Sequence, residues 1–318
     1  MGYFQRHALF GDVYMSVIAF VFIFASLLLH SLWHFLCKSS GKSSAAFFAL
    51  FSTTLFCTMV PCALASGLIG HIPAGVLKYA FLGAFCGVLC DIGLIFAYRY
   101  SDISLAYPMA RALPVFFTLA VTSLFGWGKP LTACAVTGMM TIFTGCVCMA
   151  LTNGSRGTLR QKMLHIKNGL AGILIAAAGT TGYTVVDSFG IHEITALFPE
   201  HNKMLVAGAY SCVREMFAMS MLWGCVLFCH CRKMERGVLK KLVMTPHPYL
   251  AGVFAALAYW LILVAMNYVT NVSFVQAFRQ LSLPLSALLG FIFLKEKVTL
   301  FRWIALLLIM AGLMLCIL

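Results

Sequence analysis

Charge is what this sequence has least of. Only 10% of its 318 residues are charged, and Asp and Glu together number 9. A soluble domain cannot stay dispersed with so little polar surface, so that class is excluded. Strands alternating apolar and polar residues at a ten-residue pitch are absent, which excludes a membrane β-barrel. No complete Gly-x-x-x-x-Gly-Lys-Ser/Thr phosphate loop occurs, because Leu36 stands where the first glycine would precede Gly41-Lys42-Ser43, so the sequence offers no ATP cradle of that kind. No small-residue cleavage pattern precedes the first hydrophobic run, which is therefore expected to be retained in the membrane.

What is there is apolar: 62% of positions are hydrophobic. A spanning helix needs about 20 mostly apolar residues to cross a hydrocarbon layer of about 30 Å. Ten stretches meet that length, at 14–36, 44–64, 77–98, 104–125, 131–151, 169–189, 204–229, 249–267, 272–293 and 301–318. Little lies between them, so there is no room for a separate soluble domain. The expected architecture is an all-α membrane protein of ten transmembrane helices.

The formal charge of +13 invites a nucleic-acid reading, but its placement argues against one. Basic residues collect in alternate connections. One set holds Lys38, Lys42, Arg99, Arg156, Arg160, Lys162, Lys167, Arg232, Lys233, Arg236, Lys240, Lys241, Lys295, Lys297 and Arg302. The opposite set holds Arg6, Lys78, Lys129 and Lys203. The positive-inside rule puts the rich loops in the cytoplasm and both termini on the far side of a cytoplasmic (inner) membrane. Anionic lipid headgroups, and not nucleic acid, are the partners such loops imply.

The 13 cysteines lie mostly inside spans, where Cys acts as a small hydrophobe. Cys229-His230-Cys231 has ligand residue types but too few for a tetrahedral metal site. His30 and His34 fall one turn apart on the first span beside Trp33, again without further ligands. Neither a metal nor another cofactor is expected. A hydrogen-bonding or cavity-lining role suits the histidines better.

Internal repetition organises the chain. Ala97-Tyr98-Arg99-Tyr100 finds its counterpart in Ala265-Met266-Asn267-Tyr268, and each leads at the same interval to an arginine, Arg111 or Arg279. Each arginine sits two turns into its span, and each following last span carries a mid-helix glycine (Gly138 or Gly145; Gly312). The repeat unit is five spans. An odd number inverts the second copy, giving the two inverted five-helix repeats found in many secondary transporters. The halves are expected at 1–152 and 169–318, joined by a basic connecting loop at 153–168.

Residues quoted from both halves resemble a known family. Leu29-His30-Ser31-Leu32-Trp33-His34, the stretch AYRYSDISLAYPMARALP at 97–114, Tyr183-Thr184-Val185-Val186-Asp187, and Phe278-Arg279-Gln280-Leu281-Ser282 followed by Phe293-Leu294-Lys295-Glu296 look like the EamA-type drug/metabolite transporter superfamily. Within it the chain is most similar to the permease branch associated with phosphonate utilisation. The sequence departs from the family in two places. His34 stands where Asn is usual, and Gly126-Trp127-Gly128-Lys129 stands where a Gly-Glu turn is typical. The resemblance implies a secondary carrier of small organic solutes and not an enzyme, active as a monomer or homodimer.

An ionisable group inside the bilayer costs at least about 2.5–3.5 kcal/mol, so each one needs a reason. Asp91, Arg111, Asp187, Arg214, Glu215 and Arg279 all stand within spans. Asp91 and Arg111 lie at similar depth on either side of the third hairpin, so they either pair or present one member to a cavity. Arg279 has no acid at its depth in the eighth span and is a candidate for an anionic group; pairing with Asp187 or Glu215 is the alternative. Adjacent residues point about 100° apart on a helix, so Arg214 and Glu215 are not expected simply to neutralise each other. Glu215 is a candidate for coupling transport to a proton or other ion, and Asp187 for a gate or helix contact. Candidate solute-binding residues are Arg279, Arg111, Trp33, His30, His34, Tyr107, Tyr183, Tyr259 and Gln276; candidate coupling or gating residues are Glu215, Asp187 and Asp91. Pro108, Pro114 and Pro284 should bend the fourth and ninth spans. Gly83 and Gly87 should allow close helix packing.

The expected solute is anionic or zwitterionic, such as an amino acid or organophosphonate. Alternatives are an organic cation or quaternary ammonium compound among the tyrosines, a flipped lipid, or an intramembrane reaction.

Overall fold

The computed structural model describes residues 17–39, 44–100, 110, 113–115, 117–118, 121–126, 132–152, 159–231, 237–269, 272, 275, 278–279, 282 and 300–317. Among these residues the structure is helical, with no β-strand. The helices are α1 (Val17–Ser39), α2 (Ala45–Ser66), α3 (Ala74–Tyr100), α4 (Ala133–Thr152), α5 (Leu159–Leu197), α6 (Lys203–Cys231), the short α7 (Val238–Val243), α8 (His247–Met266) and α9 (Leu300–Ile317). Six of them, α1, α2, α3, α5, α6 and α8, are long and apolar enough to cross a membrane, while α4 and α9 contain shorter apolar segments at Ala133–Gly145 and Trp303–Gly312. Half of the fourth expected span and most of the ninth lie outside the described residues.

Local chemistry sets several boundaries. Ser44, extended at φ −150°, caps α2 by accepting a hydrogen bond from the Phe47 amide. Gly67 ends the same helix in the left-handed region at φ 67°, its N–H reaching the Leu64 carbonyl. The 153–168 connection departs from expectation, because α5 begins at Leu159 and runs 39 residues. At 1.5 Å per residue that is about 58 Å, longer than the roughly 40–45 Å of a bilayer with its headgroups. Arg160, Gln161, Lys162, Met163 and Leu164 are all good helix formers. The stretch therefore continues the helix without the apolar periodicity that marks a span, and the expected boundary at 168/169 falls inside it.

The principal pairings are α3 with α5, α2 with α6, α1 with α8 and α4 with α9; α2 also packs on α8, and α3 on α6. Small residues permit the closest of these. A Cβ on Gly172 would meet the Ala97 amide nitrogen at 2.5 Å, and one on Gly312 would meet the Gly138 carbonyl at 2.5 Å. Backbones that near each other are the device by which membrane helices gain dispersion contact where lipid supplies no hydrophobic drive.

The core is apolar, yet large apolar residues also cover much of the surface while ionic groups lie inside. Phe20, Phe24 and Leu28 on α1, Phe81, Phe85 and Phe96 on α3, and Leu307 and Met314 on α9 are exposed, whereas Asp187, Arg214, Glu215 and Arg279 are buried. Such a surface suits hydrocarbon, and the ionic groups inside must be satisfied by the protein.

Candidate functional site: a buried ionic centre

Two pairs of residues one turn apart build the centre. On α5, Tyr183 and Asp187 share a face, and on α6, Tyr210 and Arg214 do. The faces meet. Arg214 Nε donates to Asp187 Oδ2 at 2.9 Å, and the Tyr210 hydroxyl donates to Asp187 Oδ1 at 2.7 Å. The Tyr259 hydroxyl, from α8, also donates to Asp187 Oδ2. Asp187 is fully buried. A carboxylate removed from water is tolerated only when paired and hydrogen-bonded, and three donors here meet that demand.

Arg214 divides its remaining donors. Nη1 contacts Glu215 Oε1, and Nη2 reaches the Gly83 carbonyl of α3 at 3.4 Å. Its guanidinium also lies over the rings of Tyr259 (4.8 Å) and Tyr183 (5.4 Å), within cation–π range. Glu215 Oε2 takes a long hydrogen bond of 3.3 Å from the Ser52 hydroxyl of α2. One arginine thus ties α3, α5, α6 and α8, and Glu215 extends the tie to α2.

Two expectations change here. Arg214 and Glu215 do contact each other: the roughly 100° between neighbours is bridged because the long arginine side chain folds back to its own helix. Asp187 and Glu215 are held by Arg214, and Arg279 is a partner of neither. Asp187 is a helix contact, as one of its two expected roles required, and it joins three helices.

Gly83 and Gly87 do more than allow packing. A Cβ on Gly83 would collide with Asp187 Oδ1, and one on Gly87 would stand 2.8 Å from Arg214 Nη2. Gly83, Gly87 and Asp91 follow at four-residue intervals, so one stripe of α3 faces the centre. Asp91 continues that stripe, and it lies within electrostatic reach of Arg214 and Glu215. Among the described residues it makes no ion pair.

Arg279 is buried beside the centre. Its Nη2 donates to the Tyr183 hydroxyl at 3.4 Å, and its Cζ lies 5.9 Å from the ring. Two guanidinium groups therefore lie within about 6 Å of the Tyr183 ring, which also meets Tyr259 edge-on at 5.7 Å. One turn after Arg279, the Ser282 carbonyl accepts from Ser31 of α1 at 3.3 Å. On α1 the Trp33 indole donates to His30 Nδ1 at 2.8 Å, and its ring packs 5.4 Å from Phe51 of α2. That bond leaves the proton of a neutral His30 on Nε2.

Of the sequence candidates, the structure draws Tyr183, Tyr259, Asp187 and Glu215 together around Arg214, adds Arg279 through Tyr183, and pairs His30 with Trp33. Arg111, Tyr107 and Gln276, and the side chain of His34, lie outside the described residues. Tyr210 and Ser52 were not among the candidates. Tyr210 had a signal, because it precedes Arg214 by one turn; Ser52 had none.

No family model matches the chain, and no curated protein does. A solved structure, "Crystal structure of protein", is similar with a TM-score of 0.62 and 18% identity, covering 94% of this chain and 96% of its own. At that identity the likeness carries the fold alone, and it carries it over nearly the full length of both chains.

Proposed function

We propose that the protein is a secondary transporter of a small anionic or zwitterionic organic solute, working by alternating access between two inverted five-helix repeats of the EamA type. The observation that carries this reading is the symmetry of the helix pairings. In the ten-span count, α1, α2 and α3 are spans one to three, α4 is five, α5 six, α6 seven, α8 eight and α9 ten. Adding five to each number turns the three–six pairing into eight–one and the two–eight pairing into seven–three, while two–seven and five–ten map onto themselves. Each principal pairing thus has its partner or is its own. A single fold of ten helices has no reason to pair in this way; two copies related by a two-fold axis do.

The solute class is read from the chemistry of Arg279. It is buried, its Nη2 donates to the Tyr183 hydroxyl, and a guanidinium fork suits a carboxylate or a phosphonate. Arg214 faces two carboxylates. The rival solute, a quaternary ammonium ion, would need the tyrosine faces. Arg214 lies over those of Tyr183 and Tyr259. In this reading the protein sits in the cytoplasmic membrane with both termini outside.

Proteoliposomes given radiolabelled amino acids, aminoalkylphosphonates and quaternary ammonium ions test it. Uptake of an acid-bearing solute, weakened by Arg279→Ala, is expected. Uptake of the ammonium ion alone, indifferent to Arg279→Ala, would overturn the solute class.

A further inference from the structure

The two carboxylates on Arg214 are not equivalent, and the difference identifies one of them as a proton site. Asp187 receives three donors: a guanidinium N–H and two phenol hydroxyls. Protonating it would weaken all three at once. Glu215 receives one guanidinium N–H on Oε1, and on Oε2 only the Ser52 hydroxyl at 3.3 Å, beyond the roughly 2.5–3.0 Å of a good O–H···O bond. A serine hydroxyl accepts as well as donates. A proton on Glu215 Oε2 therefore finds an acceptor already in place, with no side chain needing to move.

Charge balance points the same way. Of the ionisable groups gathered here, Arg214 and Arg279 carry two positive charges, and Asp91, Asp187 and Glu215 carry three negative ones. A net buried charge is expensive in a medium of low dielectric, and one proton removes it. The groups facing Glu215 are Ser52 from α2, Asp91 from α3, Asp187 from α5, and Arg214 and Cys212 from its own helix. The acids among them repel an ionised Glu215, and Arg214 is the cation that touches it among the described residues.

We propose that Glu215 is the exchangeable-proton site of the centre: Oε2 takes a proton from water and hydrogen-bonds Ser52 Oγ, while Asp187 stays ionised as the standing counter-ion of Arg214. The same proton returns to water when the site ionises again. Use of this site to couple transport rests on the transporter reading; its titration does not.

Infrared difference spectra of the protein in lipid vesicles, taken between alkaline and mildly acidic pH without any solute, test the site directly. A protonated-carboxyl carbonyl band is expected at the acidic end. It should vanish in Glu215→Gln, persist in Asp187→Asn, and shift in frequency in Ser52→Ala. Should Glu215→Gln not fold, labelling with carboxyl-13C glutamate must shift the band, and a further shift caused by Ser52→Ala in the same labelled protein assigns it to Glu215 among the five glutamates. A band that survives in folded Glu215→Gln, that moves only on aspartate labelling, or that never forms overturns the proposal. Solute uptake by the same vesicles is a separate measurement, so loss of the transporter reading and loss of the proton site are distinguishable.

Discussion

Arg214 Nε lies 2.9 Å from Asp187 Oδ2, joining α6 to α5 inside the helix bundle. Removing the arginine strands two carboxylates, whereas removing the aspartate charge leaves Arg214 with Glu215. Breaking a buried pair from one side costs about 3–5 kcal/mol. Arg214→Leu should therefore lower thermal stability in detergent more than Asp187→Asn does. The double variant Arg214→Leu/Asp187→Asn should recover part of the loss, since one uncompensated carboxylate goes with its partner. Strictly additive losses across this double-mutant cycle would show that the pair is not coupled.

Glycines around the centre give a graded series. At Gly83 an added methyl meets the Asp187 carboxylate, which three donors hold in place, so Gly83→Ala should cost yield and stability heavily. At Gly87 it meets the end of the Arg214 side chain at 2.8 Å, which can shift, so Gly87→Ala should be milder. Gly224 on α6 has nothing within 4 Å of the new atom. There the alanine should add stability, by about 0.5–1 kcal/mol from helix propensity alone. Melting temperatures of the three variants must fall in that order for the geometry to hold.

Eight of the ten hydrophobic runs reappear as described helices, with ends within a few residues except on α5. Length and composition suffice for this, because in hydrocarbon every backbone group must bond within its own helix. The interior was harder to read. Sequence depth identified Asp187, Glu215 and Arg279 as groups needing partners, but not which partner each takes. That Arg214 and Glu215 touch is not legible from their spacing, because the divergence of helix neighbours concerns Cα–Cβ vectors, which a four-bond side chain escapes. Ser52 offered no signal, since a serine in a span usually bonds its own helix backbone. The 159–168 stretch was misjudged because a helix that leaves the membrane no longer needs an apolar face.

That extension makes a topological prediction. If α5 passes through the bilayer from a basic cytoplasmic end, its first turns lie in water. In a background lacking reactive native thiols, single cysteines at Arg160 and Lys162 should label with an impermeant maleimide only after the cytoplasmic side is opened. One at Glu200, beyond the far end of α5, should label from outside. Outside labelling of the 160 and 162 positions would reverse the orientation drawn from the charge asymmetry.

The last prediction concerns Arg279 and Tyr183, whose side chains meet at 3.4 Å. A solute acid group bound bidentately would lie in the plane of the guanidinium, with the Tyr183 hydroxyl free to turn its proton toward it. Lysine keeps the charge at that point but offers no planar fork. Losing one charge-assisted hydrogen bond costs about 1.5–3 kcal/mol, a roughly 10- to 150-fold loss of affinity. Arg279→Lys should weaken binding of the transported solute within that range, and Arg279→Ala should weaken it further. Tyr183→Phe keeps the ring beside both guanidinium groups and removes only the hydroxyl, so its effect should be smaller than either. Scintillation proximity binding on monodisperse protein provides the affinities, and melting temperature separates a binding defect from a folding one. Arg279→Ala protein that melts as the wild type does and binds the solute with unchanged affinity would remove Arg279 from the site, leaving Tyr183 as a packing residue for Arg214.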